Sequence, residues 1–292
     1  MKIFNKCHLF KFLMVLLVSI VLAVLTYLRK SICIYAAGHI LNTELNLMLS
    51  VFSIMLIVVL PVLVLIFCIS YYYRESNKKS NYIPNWSHSY ALEFICWCIP
   101  IVIIIFLANL SWKTTHALEP SKSLQVNAHK PITIEVVSLN WRWLFIYPYY
   151  KIATINELSF PKNVPIHFHI TSQSVMNSFF IPNLGSQIYT MAGMKTELNL
   201  IALHRGKYKG FSSNYSGRGF SNMKFQVNVQ KNMSDFNHWV KMIQLKKNTL
   251  FLKNQFLSIS KDNEKDDIQY FSYVDSFLLN KIINTFTIPH NI

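Results

Sequence analysis

Cysteine is absent from residue 99 onward. All five cysteines, at positions 7, 33, 68, 96 and 98, lie in the first third of the 292 residues, so the rest of the chain has neither a disulfide nor a thiolate metal site. Charge is scarce as well: 14% of residues are charged, 52% are hydrophobic and mean hydropathy is +0.28. Soluble domains carry about 25% charged residues, so this chain is too apolar to be one ordinary soluble domain. Acidic residues are the rarer sign, 13 against 28 Lys and Arg, giving a net charge of +15. A basic balance of that size raises nucleic acid as a partner. Lysine outnumbers arginine more than fourfold, however, and no nucleic-acid motif is present. Attraction to anionic lipid headgroups is what the scattered lysines offer. There is no internal repeat and no low-complexity tract.

The apolar excess is concentrated in the first 112 residues, in three uncharged runs at 12–28, 45–73 and 94–112. At about 1.5 Å of rise per residue across a hydrocarbon core of about 30 Å, the second and third runs are long enough to span a bilayer. The first follows Lys2, Lys6 and Lys11 and has the form of an export signal or an uncleaved signal anchor. A lipoprotein reading makes Cys33 the lipidated residue, although Lys30 and Ile32 stand where that motif wants leucine and a small residue. Between the second and third runs, Arg74, Lys78 and Lys79 against Glu75 mark a cytoplasmic loop. Everything after Trp112 then lies on the external face. Cys96 and Cys98, two apart on a helix, point away from each other and read as membrane-helix fillers.

The external part reads as β first and helical later. Stretches 132–137, 141–147, 153–160, 166–170, 187–190, 195–200, 208–212 and 224–229 are short strand candidates punctuated by Pro131, Pro148, Pro161, Pro165, Pro182 and Gly206. Eight or so such strands suggest a β-sandwich. From Ser234 the period changes. Ser234 and Asp235 read as an N-cap pair ahead of Phe236, Trp239, Val240 and Ile243, and 275–286 is a second amphipathic helix. The charged stretch 261–267 reads as a solvated loop. The expected organisation is a membrane-anchored α+β chain. It has a signal peptide or signal anchor at 1–33, a transmembrane helical hairpin at 34–112 with spans near 45–73 and 93–112, a sandwich at 113–232 and a C-terminal helical extension at 233–292.

Four stretches carry a resemblance: Pro84-Asn85-Trp86-Ser87-His88-Ser89, Trp112-Lys113-Thr114-Thr115-His116-Ala117-Leu118-Glu119-Pro120-Ser121, Val175-Met176-Asn177-Ser178-Phe179-Phe180-Ile181-Pro182 and Leu184-Gly185-Ser186-Gln187-Ile188-Tyr189. They resemble subunit 2 of the cytochrome bo-type ubiquinol oxidases, the quinol branch of the haem–copper oxidase superfamily. The likeness runs from about residue 45 to 286. It implies a helical hairpin bearing a cupredoxin-like sandwich in the periplasm of a bacterial inner membrane. It also implies a proton-pumping complex with a catalytic subunit 1 that holds two haems and a copper, a subunit 3 and a small subunit 4. Ubiquinol is then oxidised, and oxygen reduced to water, in subunit 1.

In the relatives that oxidise cytochrome c, the sandwich holds a copper pair through a histidine before a loop and, within the loop, two cysteines four residues apart, a histidine and a methionine. The positions here that correspond to its ligands are Asn177, Ser212, Asn214, Ser216, Phe220 and Met223, of which only Met223 keeps the family's residue. Serine is a hard, un-ionised oxygen donor and phenylalanine has no lone pair, whereas paired copper wants soft thiolates and imidazole. The resemblance therefore implies a loop that has kept its length and lost its metal, with no cofactor in this chain.

Three further groups draw notice. His167 and His169 share one strand face; they read as polar strand residues or as two ligands of a site that no third residue in the sequence completes. Trp141, Trp143, Phe145 and Tyr147 alternate onto one face and read as a patch that packs the sandwich onto the catalytic subunit. Glu93 opens the second spanning helix, where a carboxylate complements the helix dipole. Its position also resembles the superfamily glutamate at the mouth of the lysine-lined proton channel, which makes it a candidate proton entrance, and acidic residues near a bilayer often mark proton routes.

Overall fold

The two longest apolar runs become helices because nothing in them interrupts intrahelical hydrogen bonding except one proline each. Helix α1 is His39–Tyr72, with Pro61 inside it, and α2 is Tyr90–Ala117, with Pro100 inside it. Each proline removes one backbone donor, a defect that membrane helices tolerate. Hydroxyls are returned to the backbone one turn back, Ser53 to Leu49 and Thr114 to Leu110. At 34 and 28 residues both helices outrun the bilayer core. Leu63, Phe67, Val102 and Ile105 are exposed on them; a helix apolar all round is one that meets lipid or other helices. The computed structural model describes residues 36–77, 88–122, 124, 130–246, 249–250, 267–275 and 277–287, with isolated positions 19, 23, 26, 27, 256, 259 and 260. Cys7, Cys33, Lys78, Lys79, the motif residues 84–87 and nearly all of 1–33 and 261–267 lie outside them.

The β-rich unit is a two-sheet, cupredoxin-like sandwich. Its first sheet has the order β12-β3-β2-β1-β5-β8, built from β1 (Ile132–Ser138), β2 (Trp143–Tyr147), β3 (Ile152–Ile155), β5 (Ile166–Ser172), β8 (Thr196–Leu200) and β12 (Gln269–Phe271). The second has the order β4-β10-β9-β6-β7, from β4 (Glu157–Pro161), β6 (Asn177–Phe180), β7 (Gln187–Thr190), β9 (Gly206–Ser212) and β10 (Lys224–Gln230). β1 runs parallel to β5 and β4 parallel to β10; the other neighbours in these sheets are antiparallel. A small parallel pair joins β11 (Thr249–Leu250) to β13 (Tyr273–Val274).

Alternation sets the inner face. Ile132, Ile134 and Val136 of β1, Ile166, Phe168 and Ile170 of β5, and Phe225, Val227 and Val229 of β10 are buried in one core, with Thr133, Glu135, His167 and His169 on the opposite face. Phe179 and Phe225 stack at 5.3 Å within it, and Trp143 meets Phe179 edge-on at 5.4 Å. Trp143, Phe145 and Tyr147 are completely buried in this same core. The expectation of an aromatic docking patch is thereby corrected: three of its four rings hold the two sheets together.

Two strand expectations are corrected as well. The stretch 153–160 is not one strand, because Asn156 adopts φ +57° and turns the chain from β3 in one sheet to β4 in the other. Its side chain secures the turn by accepting from Trp143 N at 3.0 Å. Trp141 also has a left-handed φ, +65°, so β2 begins only at Trp143. β6, β11, β12 and β13 are strands that the periodicity missed.

Helix α3 (Met233–Gln244) is capped by Asn232, whose side chain accepts from Asp235 N at 2.8 Å, rather than by Ser234 and Asp235. It buries Phe236, Trp239, Val240 and Ile243. Helix α4 (Leu278–Thr287) follows, with the Asp275 carboxylate accepting from Phe277 N at 3.0 Å. Phe271, Val274, Leu279 and Ile282 cover Leu144, Ile146, Ala153 and Ile155, so β2 is buried on both faces. One buried carboxylate joins the extension to the sandwich. Glu157 accepts from Trp239 Nε1 at 3.0 Å, Asn228 Nδ2 at 3.1 Å and Tyr270 OH at 2.6 Å.

The residues that open α1 also belong to the β unit. Ala37 N and Gly38 N donate to Asn183 O at 2.9 and 3.0 Å, His39 N to Ile201 O at 3.0 Å and Leu203 N to Ala37 O at 2.7 Å. A Cβ on Gly38 would lie 2.2 Å from Leu184 O, so only glycine allows that approach.

Candidate functional site

The loop between β9 and β10 returns on itself through backbone bonds. Ser212 N donates to Met223 O at 3.1 Å, Ser213 N to Ser178 O at 3.2 Å, and a 3₁₀ turn at Phe220–Asn222 closes with Met223 N to Phe220 O at 3.0 Å. β6 pairs with β9, Phe179 opposite Ser212, which brings Asn177 beside the loop. Asn177, Ser138 and Ser212 are all buried. Asn177 Nδ2 donates to Ser138 Oγ at 2.7 Å and to Val175 O at 3.3 Å, while its Oδ1 accepts from Ser212 Oγ at 3.1 Å. Ser213 Oγ meets Ser178 Oγ at 2.9 Å and donates to Gln187 Oε1 at 2.5 Å.

The six positions singled out in the sequence thus divide. Asn177, Ser212 and Met223 are buried around the strand ends, and Met223 packs in the main core. Asn214 lies half-buried and donates to Tyr215 O at 3.4 Å. Phe220 packs edge-on to Tyr215 at 5.8 Å. Ser216 Oγ is buried without a hydrogen-bond partner. This donor set does not fit a binuclear copper centre. Its buried members are a neutral amide, the Ser212 hydroxyl bonded to it and the unpartnered Ser216 hydroxyl, and a single thioether remains, which is weak by itself.

Trp141 lies against the same loop. A Cβ on Gly219 would sit 2.3 Å from Trp141 Cγ, and one on Gly217 (φ +129°) 2.6 Å from Trp141 Cη2. The indole therefore rests directly on two glycines and is the one member of the aromatic series outside the core.

On the outer face of the first sheet, His169 lies opposite Glu135 of β1 on one side and Glu197 of β8 on the other. Glu197 Oε2 is 3.5 Å from His167 Nε2, its Oε1 is 3.8 Å from His169 Nε2, and Lys195 Nζ is 3.0 Å from Oε1. Burial, then the charge of Lys195, pushes the His169 imidazole down. The hydrogen bond from Lys195 holds Glu197 below the usual carboxylate range. Burial raises Glu135 to about 7 against the opposing pull of Lys195. Sequence reasoning missed Glu197, Ser138 and Glu157, since only strand pairing shows what stands opposite what. Glu93 sits in the exposed first turn of α2, with its backbone N–H bonded to Ser89 O at 3.0 Å.

Residues 144–230 match the family model described as cytochrome c oxidase subunit II, periplasmic domain. Over 280 residues the chain is 50% identical to the cytochrome bo(3) ubiquinol oxidase subunit 2 of Buchnera aphidicola subsp. Schizaphis graminum, covering 96% of this chain and 95% of that one. It is 43% identical over 249 residues to the protein of the same description in Pseudomonas aeruginosa, covering 85% of this chain and 74% of that one. To the ubiquinol oxidase subunit 2 of Acetobacter aceti it is 46% identical over 230 residues, covering 78% and 74%. An identity this high, sustained over most of both chains, covers the helices as well as the sandwich: the chain belongs to the subunit 2 family of the cytochrome bo(3) ubiquinol oxidases, membrane-anchored subunits of haem–copper oxidoreductase complexes.

Proposed function

We propose that this chain is the second subunit of a proton-pumping ubiquinol oxidase in a bacterial inner membrane, with its sandwich in the periplasm, and that it carries no redox centre itself. The observation that supports this most is the Ser138–Asn177–Ser212 hydrogen-bond chain. Its Asn177 and Ser212 are two of the positions that the resemblance matches to copper ligands in the cytochrome c-oxidising relatives. Quinol is oxidised, and oxygen reduced to water, in the catalytic subunit that holds the haems and copper. Subunit 3 and the small subunit 4 complete the assembly. This chain supplies helices for packing in the membrane and a folded periplasmic cover. Glu93 supplies a proton entrance. It lies in the first turn of α2 and is exposed, where a carboxyl exchanges protons with water and hands them inward.

Purification of the chain from its native membrane tests this reading. Haem and quinol-dependent oxygen consumption should copurify with it, and its deletion should abolish both. A chain that purifies alone, without haem, overturns the proposal.

A further inference from the structure

The polar row on the outer face of the first sheet is used by none of the functions above. It lies on β5 and on β8, the edge strand of that sheet, and ligand atoms of His167, His169 and Glu197 all lie within 4.8 Å of one another. We propose that these three side chains form a binding site for a divalent transition-metal ion of the Zn²⁺ class.

The geometry is close to what such an ion needs. With bonds of about 2.0–2.1 Å, a tetrahedral ion sets its ligand atoms about 3.3–3.4 Å apart. The two histidine nitrogens already stand 3.5 and 3.8 Å from the two oxygens of Glu197. The rings cross at 76° with centroids 4.5 Å apart, so both can turn a nitrogen toward one point without stacking. The donor set, two imidazoles and a carboxylate, suits zinc and its neighbours rather than magnesium or calcium. His167 Nε2 is buried and makes no hydrogen bond, its approach to Glu197 being an ion contact only, and Glu135 Oε2 on the adjoining strand makes none either; a buried polar atom without a hydrogen bond calls for an explanation. His167 and His169 are held at fixed spacing by β5, and Glu197 by its pairing with His169, so little ordering remains to be done on binding.

Among the described residues Lys195 competes for this carboxylate. Lys195 Nζ bonds Glu197 Oε1 at 3.0 Å, but its side chain is 41% exposed; such a pair is weak, and the ammonium can swing out as the ion enters. Bound metal would then staple the edge strand β8 to β5.

Zinc is the probe. The full oxidase complex, purified without a histidine tag, is stripped with chelator, equilibrated with Zn²⁺ and analysed for zinc. Wild type should hold one zinc per complex more than His169→Gln or Glu197→Gln. In each variant the affinity of that zinc should fall by more than about tenfold, the least that even an outer-shell partner is worth. Lys195→Met should move the other way and tighten binding several-fold, which no misfolded variant would do. Co²⁺ in place of zinc should give the absorption of a tetrahedral site in wild type and lose it in Glu197→Gln. Equal zinc content in wild type, His169→Gln and Glu197→Gln overturns the site, and so does a Lys195→Met protein with unchanged affinity.

Discussion

Ser212 Oγ donates to Asn177 Oδ1 across 3.1 Å inside the sandwich, joining the end of β9 to the start of β6 through two neutral groups. The same amide donates onward to Ser138 at 2.7 Å, so three strands are tied by one short polar chain. Each link is sealed from water, and a buried polar group that loses its partner is expensive.

Asn177→Ala should therefore destabilise the sandwich by about 1–3 kcal/mol, because Ser138 and Ser212 both lose a partner at a buried site. Denaturant unfolding of the assembled protein reads this directly. A loss below about 0.5 kcal/mol would mean that water or rearrangement replaces the chain of bonds.

The resemblance implies that the loop keeps the length that a copper pair requires. Wild type should bind no stoichiometric copper in the sandwich. The combined substitution Asn177→His, Ser212→Cys, Asn214→Glu, Ser216→Cys and Phe220→His, added to the existing Met223, should create a copper site with purple and near-infrared absorption. Stoichiometric copper in the wild-type sandwich would contradict the copper-free reading.

Gly219→Ala should strain the loop, since its Cβ would fall 2.3 Å from the Trp141 ring. Overpacking of this kind costs about 1–3 kcal/mol. Adding Trp141→Ala removes the obstruction, so the double variant should be more stable than the sum of the two singles. Simple additivity would show that the indole moves aside freely.

Glu157→Gln keeps the shape but offers one acceptor oxygen to the three donors of Trp239, Asn228 and Tyr270. At least one donor is left unpaired, at about 1–3 kcal/mol. The extension should loosen before the sandwich does, seen as faster proteolysis after residue 232. Unchanged proteolysis in this variant would mean that the apolar contacts of Phe271, Val274 and Leu279 hold the extension without the carboxylate.

Glu93→Ala should slow oxygen reduction per haem while leaving haem content near normal. Glu93→Asp should recover part of the rate, and Glu93→Gln, which keeps shape and hydrogen bonding but not the acid, should not. If the residue only complements the helix dipole, its removal costs about 0.3–1 kcal/mol and leaves turnover alone. Equal turnover of wild type, Gln and Ala across pH would exclude the proton-entrance role.

Composition and periodicity were enough for the two apolar helices, the alternating strands β1, β5 and β10 and the amphipathic face of α3. These are local: a run of apolar residues, or an alternation of period two or 3.6, states its own environment. The chemistry of positions 212 and 220 was equally local, because Ser212 and Phe220 lack soft donors for copper wherever the chain places them.

What the sequence could not contain was opposition across strands. The Trp143, Phe145 and Tyr147 series announces a face but not what covers it, and tertiary packing made that face the core while the C-terminal segment buried the other side of β2. Asn156 ends one strand and starts another because its left-handed backbone is held by Trp143, a contact thirteen residues away. Glu197 stands 28 positions beyond His169 in the chain and directly opposite it in the sheet. Residue identity thus decided which groups could bond. Strand register, fixed by burial of the alternate faces over the whole sandwich, decided which of them meet.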